Sequence, residues 1–143
     1  MKFLLSLILA ASTVLAFAGT DGWQVDYNKA LTQARAQNKQ VLLDFTGSDW
    51  CGWCIRLKKE AFDQPAFTNF AKGKLILVEV DFPRAKPQSD VVKKQNASLQ
   101  KDYHVEGFPT LVLLDSNGKQ LRKHVGYLEG GADGLIRWIS QEK

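Results

Sequence analysis

The chain holds two cysteines, Cys51 and Cys54, set in Trp50-Cys51-Gly52-Trp53-Cys54. A small secreted domain stapled by disulfides carries four, six or eight cysteines spread along its length. A bridge across Cys-x-x-Cys closes so short a loop that it adds little chain-entropy stabilisation. Haem attachment would need a histidine after the second cysteine, and Ile55 stands there. Zinc needs four ligands, and the other soft candidates, His104 and His124, lie 20 residues apart instead of in a typical pair. A zinc site and a purely structural bridge are the weaker alternatives. Thiol–disulfide exchange is the favoured reading, with no metal and no cofactor beyond the cysteine pair itself.

That chemistry needs a nucleophile and a resolver. With Cys51 at a helix start, its sulfur faces unpaired backbone N–H groups and the positive end of the helix dipole. Both favour thiolate over thiol and lower its pKa below the free value of about 8.5. Cys54, one turn further in, is then shielded and near enough to attack a mixed disulfide on Cys51. Asp44 lies seven residues before Cys51, inside the apolar run Val41-Leu42-Leu43-Asp44-Phe45. A buried carboxyl is costly unless paired or functional, and burial raises its pKa toward neutrality. It is a candidate proton acceptor for Cys54; the bland alternative is an acid satisfied by backbone N–H groups. Pro109, in Gly107-Phe108-Pro109-Thr110, stands where a strand begins, and the sequence permits a cis bond there.

The elements that position these residues follow from pattern. A helix is predicted over Tyr27 to Asn38 with Asp26 as cap, and a buried strand over Gln40 to Thr46. A second helix is expected from Cys51 to Phe62, capped by Asp49 or Ser48. Pro65 breaks it, and a further turn or two covers Ala66 to Ala71. Leu75 to Asp81 is a second buried strand, and Phe82 to Asp90, with two prolines, is loop. Val91 to Tyr103 is helical. Thr110 to Leu114 and Gln120 to Val125 form a hairpin around Asp115-Ser116-Asn117-Gly118, and Ala132 to Ser140 closes the chain as a helix. The order α-β-α-β-α-β-β-α is an α/β fold, a mixed central sheet with helices on both faces.

The chain has 143 residues, and its first 18 have the layout of a secretory signal peptide: Lys2, an apolar stretch, then Ala16-Phe17-Ala18 before Gly19. The run Phe3 to Ala18 is 16 residues, short of the roughly 20 a spanning helix needs. Removing the leader leaves 125 residues, one domain over 19–143, with 18 basic against 15 acidic side chains. That net charge of +3, with signs interspersed, describes a soluble surface. The short basic stretches at Arg56 to Lys59 and at Lys93-Lys94 lack interleaved aromatics and are solvated faces, so nucleic acid is not an expected partner. The expected location is periplasmic or secreted. Trp23 and Trp138 are expected as near-core anchors of the terminal helices, and His104 and His124 as surface residues without a role.

Val41 to Phe45, Trp50 to Cys54, and Val105-Glu106-Gly107-Phe108-Pro109-Thr110 follow one another at thioredoxin-like intervals, with Asn117-Gly118-Lys119 and Val125-Gly126 extending the match. The chain resembles the thioredoxin superfamily, above all secreted bacterial thioredoxin-like proteins and the periplasmic thioredoxin-like domain of DsbD-type thiol:disulfide interchange proteins. The resemblance implies a thioredoxin fold with Cys51 as nucleophile, Cys54 as resolving cysteine, Asp44 as buried proton relay and Pro109 as cis-proline. It also implies that backbone beside the cis-proline pairs with a substrate strand. Trp50, Gly52, Trp53, Phe108 and Pro109 are assigned to partner contact. The implied partners are protein thiols and disulfides of the cell envelope and a membrane thiol:disulfide reductase as electron source, with the chain acting as a monomer. The implied activity is disulfide exchange, more as reductant than oxidant. The alternative is a binding module or chaperone for secreted proteins or apo-cytochromes.

Four departures accompany the likeness. The dipeptide between the cysteines is Gly-Trp in place of Gly-Pro. The stretch from Asp44 to Cys51 is one residue longer, and Phe82 to Lys94 is longer too. The lysine that thioredoxin sets beside its buried aspartate aligns with Leu77.

Overall fold

A computed structural model describes residues 22–141. The expected leader, and its expected boundary before Gly19, lie outside the described residues. The first element is a two-residue strand, β1 (Trp23–Gln24), followed by α1 (Tyr27–Gln37) and β2 (Gln40–Thr46). Asp26 caps α1 by accepting the Lys29 N–H at 2.9 Å, and Asn38 ends it in the left-handed conformation at φ 51°. Helix α2 (Gly52–Leu57) runs on into a π-helical turn, Lys58–Phe62. There follow α3 (Pro65–Lys74), β3 (Leu75–Asp81), α4 (Asp90–Asp102), β4 (Thr110–Leu114), β5 (Gln120–Val125) and α5 (Gly131–Ser140).

The five strands lie in the order β1-β3-β2-β4-β5. Strand β3 pairs in parallel with both β1 and β2, whereas β4 runs antiparallel to β2 and to β5. Period-two alternation divides the central strands between two cores. Val41, Leu43, Phe45, Ile76, Val78 and Val80 pack with Ala30 and Ala34 of α1 and Leu99 of α4. Leu42, Leu77, Leu111 and Leu113 face the other way, onto Leu57, Phe62, Phe67 and Leu135 from α2, the π-turn, α3 and α5. Burial on both faces is why these strands read as unbroken apolar runs. A fully buried side chain such as Phe45 or Leu42 is worth roughly 1.5–3 kcal/mol.

Most expected elements are present, with four adjustments. The sequence missed β1, because two residues carry no period. Helix α3 extends past Ala71 to Lys74. The long second helix changes hydrogen-bond register at Lys58. Trp23 belongs to β1, not a helix, and its ring meets Phe62 edge-on at 4.9 Å.

Candidate active site

Cys51 and Cys54 are joined as a disulfide. Cys51 itself caps α2, its sulfur accepting the Cys54 N–H at 3.3 Å. Neither Asp49 nor Ser48 is the cap, contrary to expectation. Ser48 donates from N and Oγ to Asp81, at 2.9 and 2.5 Å. Asp49 accepts the backbone N–H groups of Arg84, Ala85 and Lys86 at 2.9, 2.7 and 2.9 Å. Those three donors hold its carboxyl at a pKa of about 2. Cys51, expected as the exposed member of the pair, is 7% exposed in the disulfide against 4% for Cys54.

Phe108–Pro109 is a cis peptide bond, immediately before β4. Aromatic packing joins this turn to the cysteines. Trp50 meets Phe108 edge-on at 5.9 Å, and Phe82 packs on the same phenyl at 5.1 Å. The Trp50 indole donates to the Phe82 carbonyl at 2.8 Å and carries the Arg84 guanidinium over its ring at 3.9 Å. Gly47 makes room for this indole, since a Cβ there would collide with it. The Phe82–Ser89 loop, of uncertain purpose in the sequence, is thus fastened beside the site by Asp49 and Trp50.

Gly52 and Trp53 lie on the outer side, with Trp53 56% exposed as expected. Arg56 sits 5.4 Å from the Trp53 ring and 4.8 Å from that of Tyr127. Glu60 takes both the Arg56 guanidinium, at 2.9 Å, and the Tyr127 hydroxyl. The sequence reading left Arg56, Glu60 and Tyr127 out of the site. His104 is exposed, whereas His124 is half-buried against Trp138.

Asp44 is 7% exposed, and its Oδ1 has no hydrogen-bond partner among the described residues. Backbone satisfaction of that oxygen is therefore absent. Burial pushes its pKa well up, and Glu79 and Asp81 push it further against an opposing Lys58. Leu77 is not its neighbour: Leu77 pairs with Leu42, and Asp44 faces Glu79 in the β2–β3 register. An acid therefore occupies the place where the alignment sought a lysine. The slip is one pleat repeat, two residues, which keeps the same sheet face and leaves the apolar pattern intact. The signal that would have found Glu79 is the one that found Asp44, a lone acid inside an apolar strand, Leu75-Ile76-Leu77-Val78-Glu79-Val80.

Asp44, Glu79, Lys58, Lys86 and Cys54 line one cavity of about 310 Å³ behind the disulfide. A larger one, about 640 Å³, lies near α1 and α3 and includes neither cysteine nor Asp44.

A helix-capping Cys-x-x-Cys disulfide, an aromatic-linked cis-proline and a buried acid behind the second sulfur define a disulfide-exchange site of the protein-disulfide oxidoreductase class. The profile of the thioredoxin-like domain family matches residues 27–141, and the chain belongs to that family. It is 40% identical to the disulfide bond reductase DsbH of Chlamydia pneumoniae over 114 residues, covering 80% of this chain and 68% of that protein. It is 30% identical to the thioredoxin-related protein DsbJ of Chlamydia pneumoniae, over 85% of this chain and 36% of that one. To the thiol:disulfide interchange protein DsbD of Actinobacillus pleuropneumoniae serotype 5b (strain L20) the identity is 31%, over 74% of this chain and 17% of that one. The solved structure of a DsbH oxidoreductase superposes with a TM-score of 0.76 at 38% identity, covering 82% of this chain and 80% of that one.

Proposed function

We propose that the protein is a reductant of protein disulfides in the bacterial cell envelope, working through a mixed disulfide on Cys51. The observation that carries this reading is the Cys51–Cys54 disulfide capping α2, with Asp44 buried behind it. The Cys51 thiolate attacks a substrate disulfide, an S–S bond forms to Cys51, and the departing substrate sulfur leaves as thiolate and takes a proton. Cys54 then gives its proton to Asp44 and attacks the Cys51 sulfur. The second substrate thiolate leaves, and two electrons have passed from the protein to the substrate. A membrane thiol:disulfide reductase would restore the dithiol.

Direction follows from charge. A strong oxidant needs a reduced form stabilised by a favoured thiolate. Here Asp44 and Glu79 line the cavity behind the disulfide, and Lys58 offsets their charge only in part. An extra negative charge is poorly received, which favours giving electrons away. The envelope location rests on the leader-like residues 1–18. Partner contact is assigned to Trp50, Gly52, Trp53, Phe108 and Pro109.

A Cys54→Ser variant tests the reading. Mixed disulfides with several envelope proteins should accumulate on Cys51 and vanish in a Cys51→Ser, Cys54→Ser double variant. Non-covalent partner capture alone, with no disulfide reduction by the wild type, would establish the binding module instead.

A further inference from the structure

Two charged side chains that line the cavity with Cys54, Glu79 and Lys58, have no part in the proton transfer described so far. Glu79 is the β3 residue directly opposite Asp44, and adjacent paired strands lie about 4.8 Å apart. Alternation sends both side chains to the face that carries α2, where each lines the 310 Å³ cavity with Cys54. Asp44 is the deeper of the two, with an unpartnered Oδ1, whereas Glu79 is half-buried. Lys58 enters the same cavity from the first residue of the π-helical turn, one helical turn after Cys54. Its ammonium reaches Asp63, and the side chain is about half exposed.

We infer that Asp44 and Glu79 act as one coupled carboxylate pair in taking the proton of Cys54, the charge on Glu79 governing whether Asp44 is free to accept it and Lys58 being the cation that tolerates the pair's negative charge. This inference rests on the exchange reading and assigns Glu79 and Lys58 as positioning residues acting through Asp44. Two acids that face one cavity oppose each other's charge, so they give up their protons in two separate steps. When Cys54 attacks, its proton passes to the ionised form of Asp44, the Cys51–Cys54 bond forms, and the substrate thiolate leaves. Asp44 then releases that proton to water through the cavity, which also admits the solvent-facing Lys86. The electron count is that of the exchange itself.

All the charges facing the pair enter the expected pH behaviour. Asp81, on the same sheet face, repels a charge on either acid, and is itself engaged by Ser48. Lys58 opposes the repulsion at both acids, and Lys86 at Glu79. No charged side chain comes from β4, where Leu111 is the partner of Asp44.

The test is the pH dependence of the resolving step, read as release of a chromophoric thiol from a preformed mixed disulfide on Cys51. Its rate rises with pH as the pair becomes able to accept a proton. Glu79→Gln removes a like charge, so the rising limb moves to lower pH. Lys58→Met removes the cation, so the limb moves to higher pH. A shift of one unit is about a 10-fold change in rate at a fixed pH on that limb. Glu79→Asp and Lys58→Arg should restore most of the wild-type profile. Limbs that stay in place, or move in the same direction in both variants, overturn the inference. Because Lys58 is half exposed, its variant keeps the test open should Glu79→Gln fail to fold. A wild type that resolves no mixed disulfide would instead sink the exchange reading itself.

Discussion

A buried carboxyl with one unpartnered oxygen is a poor choice for stability, and Asp44 lets that cost be measured. Its folded-state pKa is raised, first by burial and then by Glu79 and Asp81. Between the ordinary aspartate value near 4 and that raised value, the folded protein holds a proton that the unfolded chain has lost. Stability therefore falls as pH rises through that window, and is fully retained below about pH 4. Asp44→Asn keeps the shape and removes the ionisation. Its melting temperature should match the wild type near pH 3.5 and exceed it at pH 8, by roughly 4 °C for each kcal/mol recovered. The same variant should slow the resolving step about 100-fold at neutral pH while sparing the first attack by Cys51. Equal melting curves at both pH values would mean that Asp44 is ionised without penalty. Asp44 was legible in the sequence because an acid interrupts an apolar strand. Glu79 interrupts its strand by the same pattern, but that it faces Asp44 was not legible, because strand register is recorded in no local pattern.

At the scale of elements, the Phe82–Ser89 loop shows how a feature opaque in sequence becomes a fixed part of the site. Its length was visible; its anchor was not, because Asp49 read as a helix cap for α2. Cys51 took that position, leaving the Asp49 carboxylate to accept the amides of residues 84–86. The π-helical turn escaped for a similar reason, since one added residue per turn leaves the apolar spacing nearly helical. Strands β2 to β5 were read to the residue because their apolar or β-favouring runs begin and end sharply. The anchor has a consequence for pH. Its pKa of about 2 lies below the ordinary value, so its hold on the loop is complete above about pH 4 and is lost as pH falls toward 2. Asp49→Ala should lower the amide-exchange protection of residues 84–86 at least 10-fold at pH 7 and leave the β2–β3 ladder protected. The wild type should lose the same protection, at the same amides, on acidification from pH 5 to pH 2. Protection that survives the substitution would show that the Trp50–Phe82 contact alone secures the loop.

For the molecule as a whole, the direction of electron flow is a statement about which redox state folds more stably. Oxidised and reduced chains are linked through their unfolded forms, so the state that folding favours is the one the protein drives toward. The disulfide spans three residues and constrains the unfolded chain only by about 2 kcal/mol in the chain-entropy model. Site electrostatics therefore share in the decision. In the reduced protein a thiolate at Cys51 gains from the exposed N–H groups at the start of α2. It is opposed by the acids lining the cavity behind it, whose charge Lys58 offsets only in part. A cavity holding Asp44 and Glu79 weighs against the anion, and both effects then favour the disulfide. Thermal melts at pH 7 should show the oxidised form unfolding above the dithiol form, by roughly 4–8 °C if the difference is 1–2 kcal/mol. The gap should narrow in Glu79→Gln, where one opposing charge is gone, and the equilibrium potential against glutathione should rise with it. A dithiol form that melts higher than the disulfide would make the protein an oxidant, with the helix start outweighing the acids.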